Sequence, residues 1–459
     1  MIPLTLYAGS TVAVFGLGKA GRSAIAALHA GGAQVFAWDD SQQKQGPQEQ
    51  FTALHYNEWP WEDIEILVLS PGVPLTHPAP HPVVQMAQEH GCIITCDVAL
   101  LIQACRDART VGITGTNGKS TTTALIHHIL DACGVKNQMG GNIGTPALDL
   151  QPLGPDGVYV LELSSYQLDL MDGERFHVAV WMNISPDHLD RHGGMDGYVM
   201  AKRRIFAAQQ LQDSAVISVD DEHSAATAAA LVRQQLVKVS TKRELPGGVY
   251  VKEGVLHHPA EGYSSDITSI ASLTGRHNWQ NAAMAYAACF QLGLAPEAIR
   301  SAMQSFPGLR HRLQRVAEIG GVWFINDSKA TNADSTSHAL SAFDNIYWIA
   351  GGKAKEGGID SLAEYFPRIR HAFLIGEAEY AFARTLEGKV ANTRCGDLQT
   401  AVTRAAEQAL GKNGAVVLLS PACASFDQWA NFEQRGDAFC TMVEQLTGKQ
   451  ERHASGQNQ

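Results

Sequence analysis

Val111-Gly112-Ile113-Thr114-Gly115-Thr116-Asn117-Gly118-Lys119-Ser120-Thr121 is the stretch whose reading decides the fold. Its apolar start, Val111 to Thr114, predicts a buried parallel strand, and Gly115 to Gly118 a tight loop. Lys119-Ser120-Thr121 opens a segment of helical spacing. Leu125, Ile129, Ala132 and Cys133 fall on one face, and Gly134 sits where a C-terminal cap belongs. Strand, glycine loop, Lys-Ser and helix is the layout of a phosphate-binding loop. Glycines let consecutive backbone N–H groups turn toward a polyphosphate, and the helix N-terminus adds favourable partial charge. Lys119 can reach the outer phosphates and the Ser120 hydroxyl can ligate Mg²⁺. The strict form of the motif would need a glycine at position 113, where Ile113 stands. A glycine-rich turn that only happens to precede Lys-Ser is the bland alternative.

At 459 residues the chain has room for about three domains of roughly 150 residues each. The formal net charge is -11, with no long run of Lys or Arg, which argues against nucleic acid as the main partner. No stretch approaches the roughly 18 uncharged apolar residues of a membrane span. The start, MIPLTLYAGS, lacks the basic flank and apolar core of a signal peptide. The 8 cysteines sit in apolar contexts, and the spacing of Cys92 and Cys96 is not a usual zinc pair. Buried free thiols in a reducing cytosol are expected.

Outward from the phosphate loop, Thr11 to Phe15 reads as a strand. Gly16-Leu17-Gly18-Lys19-Ala20-Gly21 follows as a glycine loop, then a helix from about Arg22 to His29, ended by Gly31-Gly32. Gln34 to Trp38 is the next strand, and Asp39 lies near where a dinucleotide fold places its ribose-binding acid. On this pattern an NAD-type site and a ligand-free turn both stay open. The strand Ile64 to Leu69 ends in Ser70-Pro71-Gly72, at the strand end where open α/β sheets bind ligands. The region up to about Arg109 reads as one small α/β domain.

Gly140 to Gly144 reads as a second glycine loop. Glu162 lies inside the apolar run Val158 to Leu163, where an unpaired acid costs several kcal/mol. It is a metal-ligand candidate, with a structural salt bridge as the alternative. Val178 to Asn183 is another strand, and Asp187-His188-Leu189-Asp190-Arg191-His192 follows it. Its acids and histidines suit a metal or substrate loop, or a solvated polar loop. Ala201 to Phe206 reads by itself as a basic, solvated helix turn. Residues 213–272 read as short strands and turns. Leu273 to Asn278, including Thr274, precede an alanine-rich helix from about Asn281 to Leu292, and Phe306 to Leu309 reads as a linker.

A third α/β unit begins near Val322. Its strands Val322 to Ile325, Ile346 to Ala350 and Val416 to Leu419 are each followed by small and polar residues, which can converge on one ligand edge. The tail after Gly448 reads as disordered.

The motifs GITGTNGKST, GGNIG, LELSS, DHLDRH, GRHN, NDSKATN and SPACASFDQWANFEQRG, spread from Val12 to about Gly436, resemble those of the Mur ligase family. These are ATP-dependent amino-acid ligases of peptidoglycan precursor synthesis. The resemblance implies an α/β protein of three domains. They are a Rossmann-like N-terminal domain over 1–109, a central P-loop ATPase-like domain over 110–307 and a C-terminal Rossmann-like domain over 308–459. It also changes the reading of the first glycine loop, which would bind the uridine diphosphate of a substrate rather than a dinucleotide. By the same resemblance Gly16, Leu17, Gly18, Gly21, Asp39, Ser70, Pro71, Gly72 and Asp187 would serve that substrate. Lys19-Ala20 and Asp40-Ser41 stand where other members carry Leu-Thr and Thr-Arg.

The resemblance further assigns Gly115, Thr116, Asn117, Gly118, Lys119, Ser120, Thr121, Asn142, Asn278, Arg312 and Asp327 to ATP. Lys119, Glu162, His188 and Lys202 would be catalytic. Ser120 and Glu162 would hold one Mg²⁺, and His188 with a carbamylated Lys202 a second. Lys329, Thr331, Lys355, Ser425, Phe426 and Phe432 would hold D-glutamate. The implied reaction joins D-glutamate to UDP-N-acetylmuramoyl-L-alanine through an acyl phosphate, with domain closure on binding. A cytoplasmic monomer is expected. The competing readings are a sister ligase for another amino acid, an NAD-linked oxidoreductase with an accessory ATPase, and a non-catalytic nucleotide-binding scaffold.

Overall fold

The computed structural model describes residues 1–41, 49–273, 275–354 and 357–456, with the side chains of 271, 277 and 448–456 excepted. Thr274 and Lys355 therefore lie outside the described residues. The chain divides into two compact units, Met1–Phe306 and Pro307–Gln459. The division falls inside the Phe306 to Leu309 segment read as a linker.

The first unit holds two sheets. The first is built from β1 (Thr11–Phe15), β2 (Gln34–Trp38), β3 (Thr52–Ala53), β4 (Ile64–Leu69) and β5 (Ile93–Thr95). Its order is β3-β2-β1-β4-β5 and every pairing is parallel. β1 is the middle strand, and Val12 to Phe15 are all buried, as expected of a parallel strand covered on both faces. The helix behind the glycine loop runs Lys19–Ala30, so it starts three residues earlier than its apolar spacing suggests.

The second sheet contains β6 (Arg109–Thr114), β7 (Asn137–Gly141), β8 (Val158–Glu162), β9 (Val178–Trp181), β10 (Ser214–Ser218), β11 (Gln235–Ser240), β12 (Val249–Lys252), β13 (Val255–His258) and β14 (Tyr263–Asp266). Its order is β14-β13-β12-β11-β10-β9-β6-β8-β7. From β6 the chain builds β7 and β8 on one side, then crosses to β9 on the other. The order therefore reverses at β6, and the phosphate loop leaves from that switch point.

Four expectations for this sheet are corrected. Gly140 and Gly141 belong to the edge strand β7 rather than to a loop. β9 ends at Trp181, because Asn183 leaves the sheet to brace the phosphate loop. Residues 213–272 contain a helix, Glu222–Ala230, whose start is capped by Asp221 accepting from the Ser224 N–H at 2.8 Å. The alanine-rich helix runs Arg276–Gln291, so Asn278 sits in its first turn rather than before it. The helix Lys119–Ala132 buries Ser120 to Ile126 as well as Ile129 and Leu130. It packs on the sheet and on Arg276–Gln291, and Ala132, past both, is exposed.

The second unit is one sheet of β15 (Gln314–Ile319), β16 (Val322–Asn326), β17 (Ile346–Gly351), β18 (Ile369–Ile375), β19 (Asn392–Gly396) and β20 (Val416–Leu419), ordered β15-β16-β20-β17-β18-β19. The unit begins one strand earlier than expected. β15 pairs antiparallel with β16 through Gly320-Gly321, whose φ values are 58° and 76°. Two positive-φ residues make the two-residue turn whose twist suits a hairpin, and Gly-Gly adopts it without strain. The terminal helix runs Phe432–Gly456. The expected disorder after Gly448 is thus corrected as far as residue 456, since no proline interrupts the helix. All eight cysteines are free, and Cys92, Cys96, Cys289 and Cys423 are buried. Among the described residues no helix is long and apolar enough to cross a membrane.

Asp97 opens the helix Asp97–Ala104 in the first unit and is 3% exposed. Burial pushes its carboxyl up to about 6, while hydrogen bonds from Val98 and Ala147 pull it down. The folded chain therefore holds this proton to higher pH than the unfolded chain does. Stability from this group is present at low pH and is lost as pH rises from about 4 to about 6. Asp97→Asn removes the titration. The melting temperature of the variant, relative to wild type, is expected to shift in the variant's favour between pH 4 and pH 7. A difference that does not vary with pH would show that Asp97 does not titrate in this window.

Candidate functional site

The phosphate loop is shaped by close packing. Gly115 has φ 145° and Gly118 φ 85°. A Cβ at Gly118 would lie 2.4 Å from Asn281 Oδ1, and one at Gly115 would lie 2.7 Å from Met182 Cβ. Both positions therefore need glycine for conformation and for space. Asn183 braces the loop from outside. Its Oδ1 accepts from the Asn117 N–H at 2.9 Å, its carbonyl from the Thr116 N–H at 2.9 Å, and its Nδ2 donates to Gln280 Oε1 at 2.9 Å. Asn281 accepts from Thr122 Oγ1 at 3.3 Å and donates to Asn278 Oδ1 at 2.9 Å. The Lys119 ammonium folds back on the Gly115 and Thr116 carbonyls, at 2.9 Å each. Ser120, in the first turn of the helix, is buried beside it.

Glu162 ends β8 next to this loop and is 3% exposed. Its Oε1 accepts from Asn142 Nδ2 at 3.0 Å, and its Oε2 is buried with no hydrogen-bond partner. A buried carboxylate oxygen left this way is costly unless a cation meets it. With the Ser120 hydroxyl it offers the oxygen donors that Mg²⁺ prefers. Among the described residues no group of three or more His, Cys, Asp and Glu side chains could hold a metal. An ion here would complete its shell with substrate oxygens and water.

Lys202 overturns the reading of 201–206 as a solvated face. Arg203 is exposed, but Lys202 is 2% exposed. Its Nζ donates to the Gly115 carbonyl at 3.0 Å and lies 4.8 Å from the centre of the Tyr198 ring. Burial, then the neighbouring Lys119, draws its pKa well below the ordinary lysine value. A larger share of the amine is therefore neutral and nucleophilic.

The segment Asp187 to His192 is split in two. His188, with φ 52°, faces Asp187 across 3.5 Å and packs 5.0 Å from the Tyr166 ring. His192 turns inward to Ser165 Oγ at 2.9 Å. The reading of both histidines as donors in one metal loop is corrected. Both rings pack on Tyr166, but His188 is exposed, whereas His192 is buried with its ring nitrogens turned to Ser165 and Asp169, so of the two only His188 is open to an ion or a substrate.

In the first sheet, Gly16 and Ser70 are brought together: a Cβ at Gly16 would lie 2.4 Å from Ser70 Cβ, and one at Gly21 would lie 1.9 Å from the Gly16 carbonyl. Gly18 caps the helix that follows. Asp39 holds this loop in place. Its Oδ2 accepts from the Leu17 N–H at 2.7 Å and its Oδ1 from the Ser41 N–H at 2.9 Å. Pro71 and Gly72 lie in the turn after β4, and the Gly72 carbonyl accepts from Arg191 at 3.1 Å.

The second unit gathers its own set. The loops after β16, β17 and β20 are tied by Ala422 N–H to the Ala330 carbonyl at 3.0 Å, and by Lys353 N–H to the Ala424 carbonyl at 2.9 Å. The expected convergence of three strand ends is therefore present. Lys329 Nζ lies 5.4 Å from the centre of the Phe432 ring, Ser425 is buried, and Phe426 is 68% exposed. Thr331 lies on the same loop as Lys329, and Arg312 on the segment before β15. Asp327 accepts from Leu313 N–H at 3.1 Å and Ser420 Oγ at 2.8 Å, and burial pushes its carboxyl up to about 7. Arg435, 1% exposed, donates to the Ser328 carbonyl at 2.9 Å and the Cys423 carbonyl at 3.1 Å, and burial lowers it to about 10.

Two family models match the chain. One, the Mur ligase middle domain, matches residues 113–289, and the other, the glutamate ligase domain of Mur ligases, residues 311–423. A UDP-N-acetylmuramoylalanine--D-glutamate ligase of Rhodospirillum rubrum is 51% identical over 97% of both chains. The chain belongs to the Mur ligase family. A relative of the same name from Paramagnetospirillum magneticum is 50% identical over 97% of this chain and 98% of its own. Among solved structures, the UDP-N-acetylmuramate-alanine ligase of Thermotoga maritima superposes with a TM-score of 0.58 at 16% identity. It covers 96% of this chain and 99% of its own. MurF of Acinetobacter baumannii gives 0.56 at 18%, over 91% and 89%. At these identities the two structures speak for the mixed α/β Mur ligase fold.

Residue-by-residue reading of this Mur ligase sequence missed Asn183, Tyr198, Asn281 and Arg435. Two had a signal. Asn278 and Asn281 share a helix face at a three-residue interval, and Asn183 lies two residues past a buried strand. The close packing of the loop gives a test. Gly118→Ala meets both positive φ and Asn281, whereas Gly134→Ala meets only φ 74° in open space. Gly134→Ala should cost about 1 kcal/mol and Gly118→Ala about 2–3 kcal/mol in denaturant unfolding. Equal losses would mean that Asn281 does not constrain the loop.

Proposed function

We propose that this chain is an ATP-dependent ligase that joins D-glutamate to UDP-N-acetylmuramoyl-L-alanine in the cytoplasm, with release of ADP and phosphate. The observation that carries the reading is the 51% identity, over 97% of both chains, to a relative named for that reaction. Three domains divide the work in this reading: 1–109 for the uridine diphosphate substrate, 110–307 for ATP and 308–459 for the amino acid.

Gly16, Leu17, Gly18, Gly21, Ser70, Pro71 and Gly72 receive the diphosphate substrate, and Asp39 holds their loop. Asp187 stands by the same substrate. Gly115 to Thr121 turn their N–H groups on the ATP phosphates, and Lys119 leaves its two loop carbonyls to meet them. Asn142, Asn278, Arg312 and Asp327 contact the nucleotide. Mg²⁺, held by Ser120 and Glu162 and, at a second position, by His188 and the carbamate of Lys202, would neutralise the phosphate oxygens. The Lys202 carbamate forms when the neutral amine attacks the carbon of CO2, a C–N bond forms and one proton leaves to solvent. The low pKa of this buried amine supports that step.

The γ-phosphoryl group of ATP passes to the alanyl carboxylate and gives an acyl phosphate. The D-glutamate amine attacks that carbonyl, and the tetrahedral intermediate expels phosphate. Lys329, Thr331, Lys355, Ser425, Phe426 and Phe432 hold the incoming amino acid. Two lysines suit its two carboxylates.

Phosphate release is the test, with ATP, Mg²⁺ and UDP-N-acetylmuramoyl-L-alanine present and D-glutamate, L-glutamate, L-alanine, L-lysine or meso-diaminopimelate added singly. Release with D-glutamate alone is expected. Release with another amino acid would keep the ATP chemistry and reject the D-glutamate assignments. Lys119→Ala should lower kcat/KM by about 100-fold or more, through lost stabilisation of transferring phosphate.

A further inference from the structure

One largely buried imidazole lies between both of the side chains assigned to the second metal position. His192 is 6% exposed. One face of its ring stacks on Tyr166, with centroids 5.5 Å apart and planes 16° apart. Its neighbour on another side is Tyr198, at 5.5 Å and 49°. Tyr166 in turn packs 5.0 Å from His188. Tyr198 lies under the Lys202 amine, 4.8 Å from its ring centre, and its hydroxyl shares a hydrogen bond of 3.1 Å with Thr116 Oγ1 in the phosphate loop. Two polar groups fix the imidazole itself. Nε2 lies 2.9 Å from Ser165 Oγ, and Nδ1 faces the Asp169 carboxylate at 3.8 Å. With Nδ1 protonated toward Asp169, Nε2 accepts from the Ser165 hydroxyl. Ser165 and Asp169 bound the short helix that follows Glu162.

We propose that His192 is a positioning residue that sets the Lys202 amine through Tyr198 and the His188 imidazole through Tyr166. The proposal rests on the ligase reading for the roles of Lys202 and His188. His192 joins three segments: the helix after β8, the turn that carries His188 and the helix that carries Lys202. Each contact is short and packed, so a shift of the imidazole moves both aromatic rings. An aliphatic side chain of similar size would fill the volume but could neither stack on Tyr166 nor hold Ser165.

The test uses the full chain and three variants. His192→Ala removes ring and hydrogen bonds, His192→Phe keeps the stacking, and Ser165→Ala removes only the hydrogen bond to Nε2. The Lys202 carbamate is read by ¹³C NMR after equilibration with ¹³C-bicarbonate, without nucleotide or metal, using Lys202→Ala as the blank. Steady-state phosphate release is read alongside. In His192→Ala the carbamate signal should fall several-fold. Its kcat should fall by about tenfold to a hundredfold, with KM for the uridine substrate within about twofold of wild type, as misplacement of a reacting group predicts. His192→Phe should restore most of the carbamate signal. Ser165→Ala should lower kcat less than His192→Ala does.

Wild-type carbamate and kcat in His192→Ala would overturn the proposal. So would the absence of a carbamate in the wild-type chain, or a rise in KM with kcat unchanged. If His192→Ala does not fold, Ser165→Ala decides the matter, and a wild-type kcat in it would also overturn the proposal. Failure of the ligase reading shows separately, as no phosphate release by the wild-type chain with D-glutamate, while the carbamate signal still reports on His192.

Discussion

Two lysine nitrogens share one carbonyl oxygen. Lys119 Nζ and Lys202 Nζ both donate to Gly115, at 2.9 Å and 3.0 Å. Burial, and after it the charge of Lys119, disfavour a second ammonium at that place and draw the Lys202 pKa well below the ordinary lysine value. The site is thus built short of negative charge. The glycine loop, the helix N-terminus and the Lys119 ammonium all present positive potential to one spot. Against them stands Glu162, one of whose oxygens is left without a partner.

The surrounding fold keeps those groups from relaxing. Lys202 comes from a helix, Glu162 from a strand end and Lys119 from the first turn of another helix. Asn183 and Asn281 lock the loop between them by hydrogen bonds to backbone and side chains. Polar cross-braces of this kind, once satisfied, specify one geometry more sharply than apolar packing does. The second unit follows the same logic with a different brace, the buried Arg435, which donates to carbonyls on two of its loops.

Much of this is legible in the amino-acid sequence. Strands ending in glycine or in small polar residues were read at β1, β4, β6, β8, β17 and β20, since a buried parallel strand is a short apolar run whatever surrounds it. The phosphate loop and Glu162 followed from the same local pattern. What stayed hidden depends on partners distant in sequence. Lys202 and Arg203 are adjacent and both ordinarily cationic, and only the covering of one helix face separates them. His192 and His188 look alike as donors until burial distinguishes them, His192 being covered and His188 exposed. The helix Glu222–Ala230 has alanine as its only apolar residue, so it has no stripe of large apolar side chains to announce it. The hairpin at Gly320-Gly321 does carry a local signal, in two adjacent glycines just before the apolar run Val322 to Ile325.

The reversal of strand order at β6 also bears on how the chain acquires its structure. Val111 pairs with Val160 on one side and with Val178 on the other. Neither neighbour follows β6 directly, so the central strand must wait for both before its backbone is satisfied. On a ribosome, β6 and its glycine loop emerge well before those partners and expose unpaired N–H and C=O groups in the meantime. Non-local pairing of this sort slows folding and lengthens the interval in which a strand can be captured by another chain. The position that suits a ligand site is therefore also the one most exposed to misassembly during synthesis.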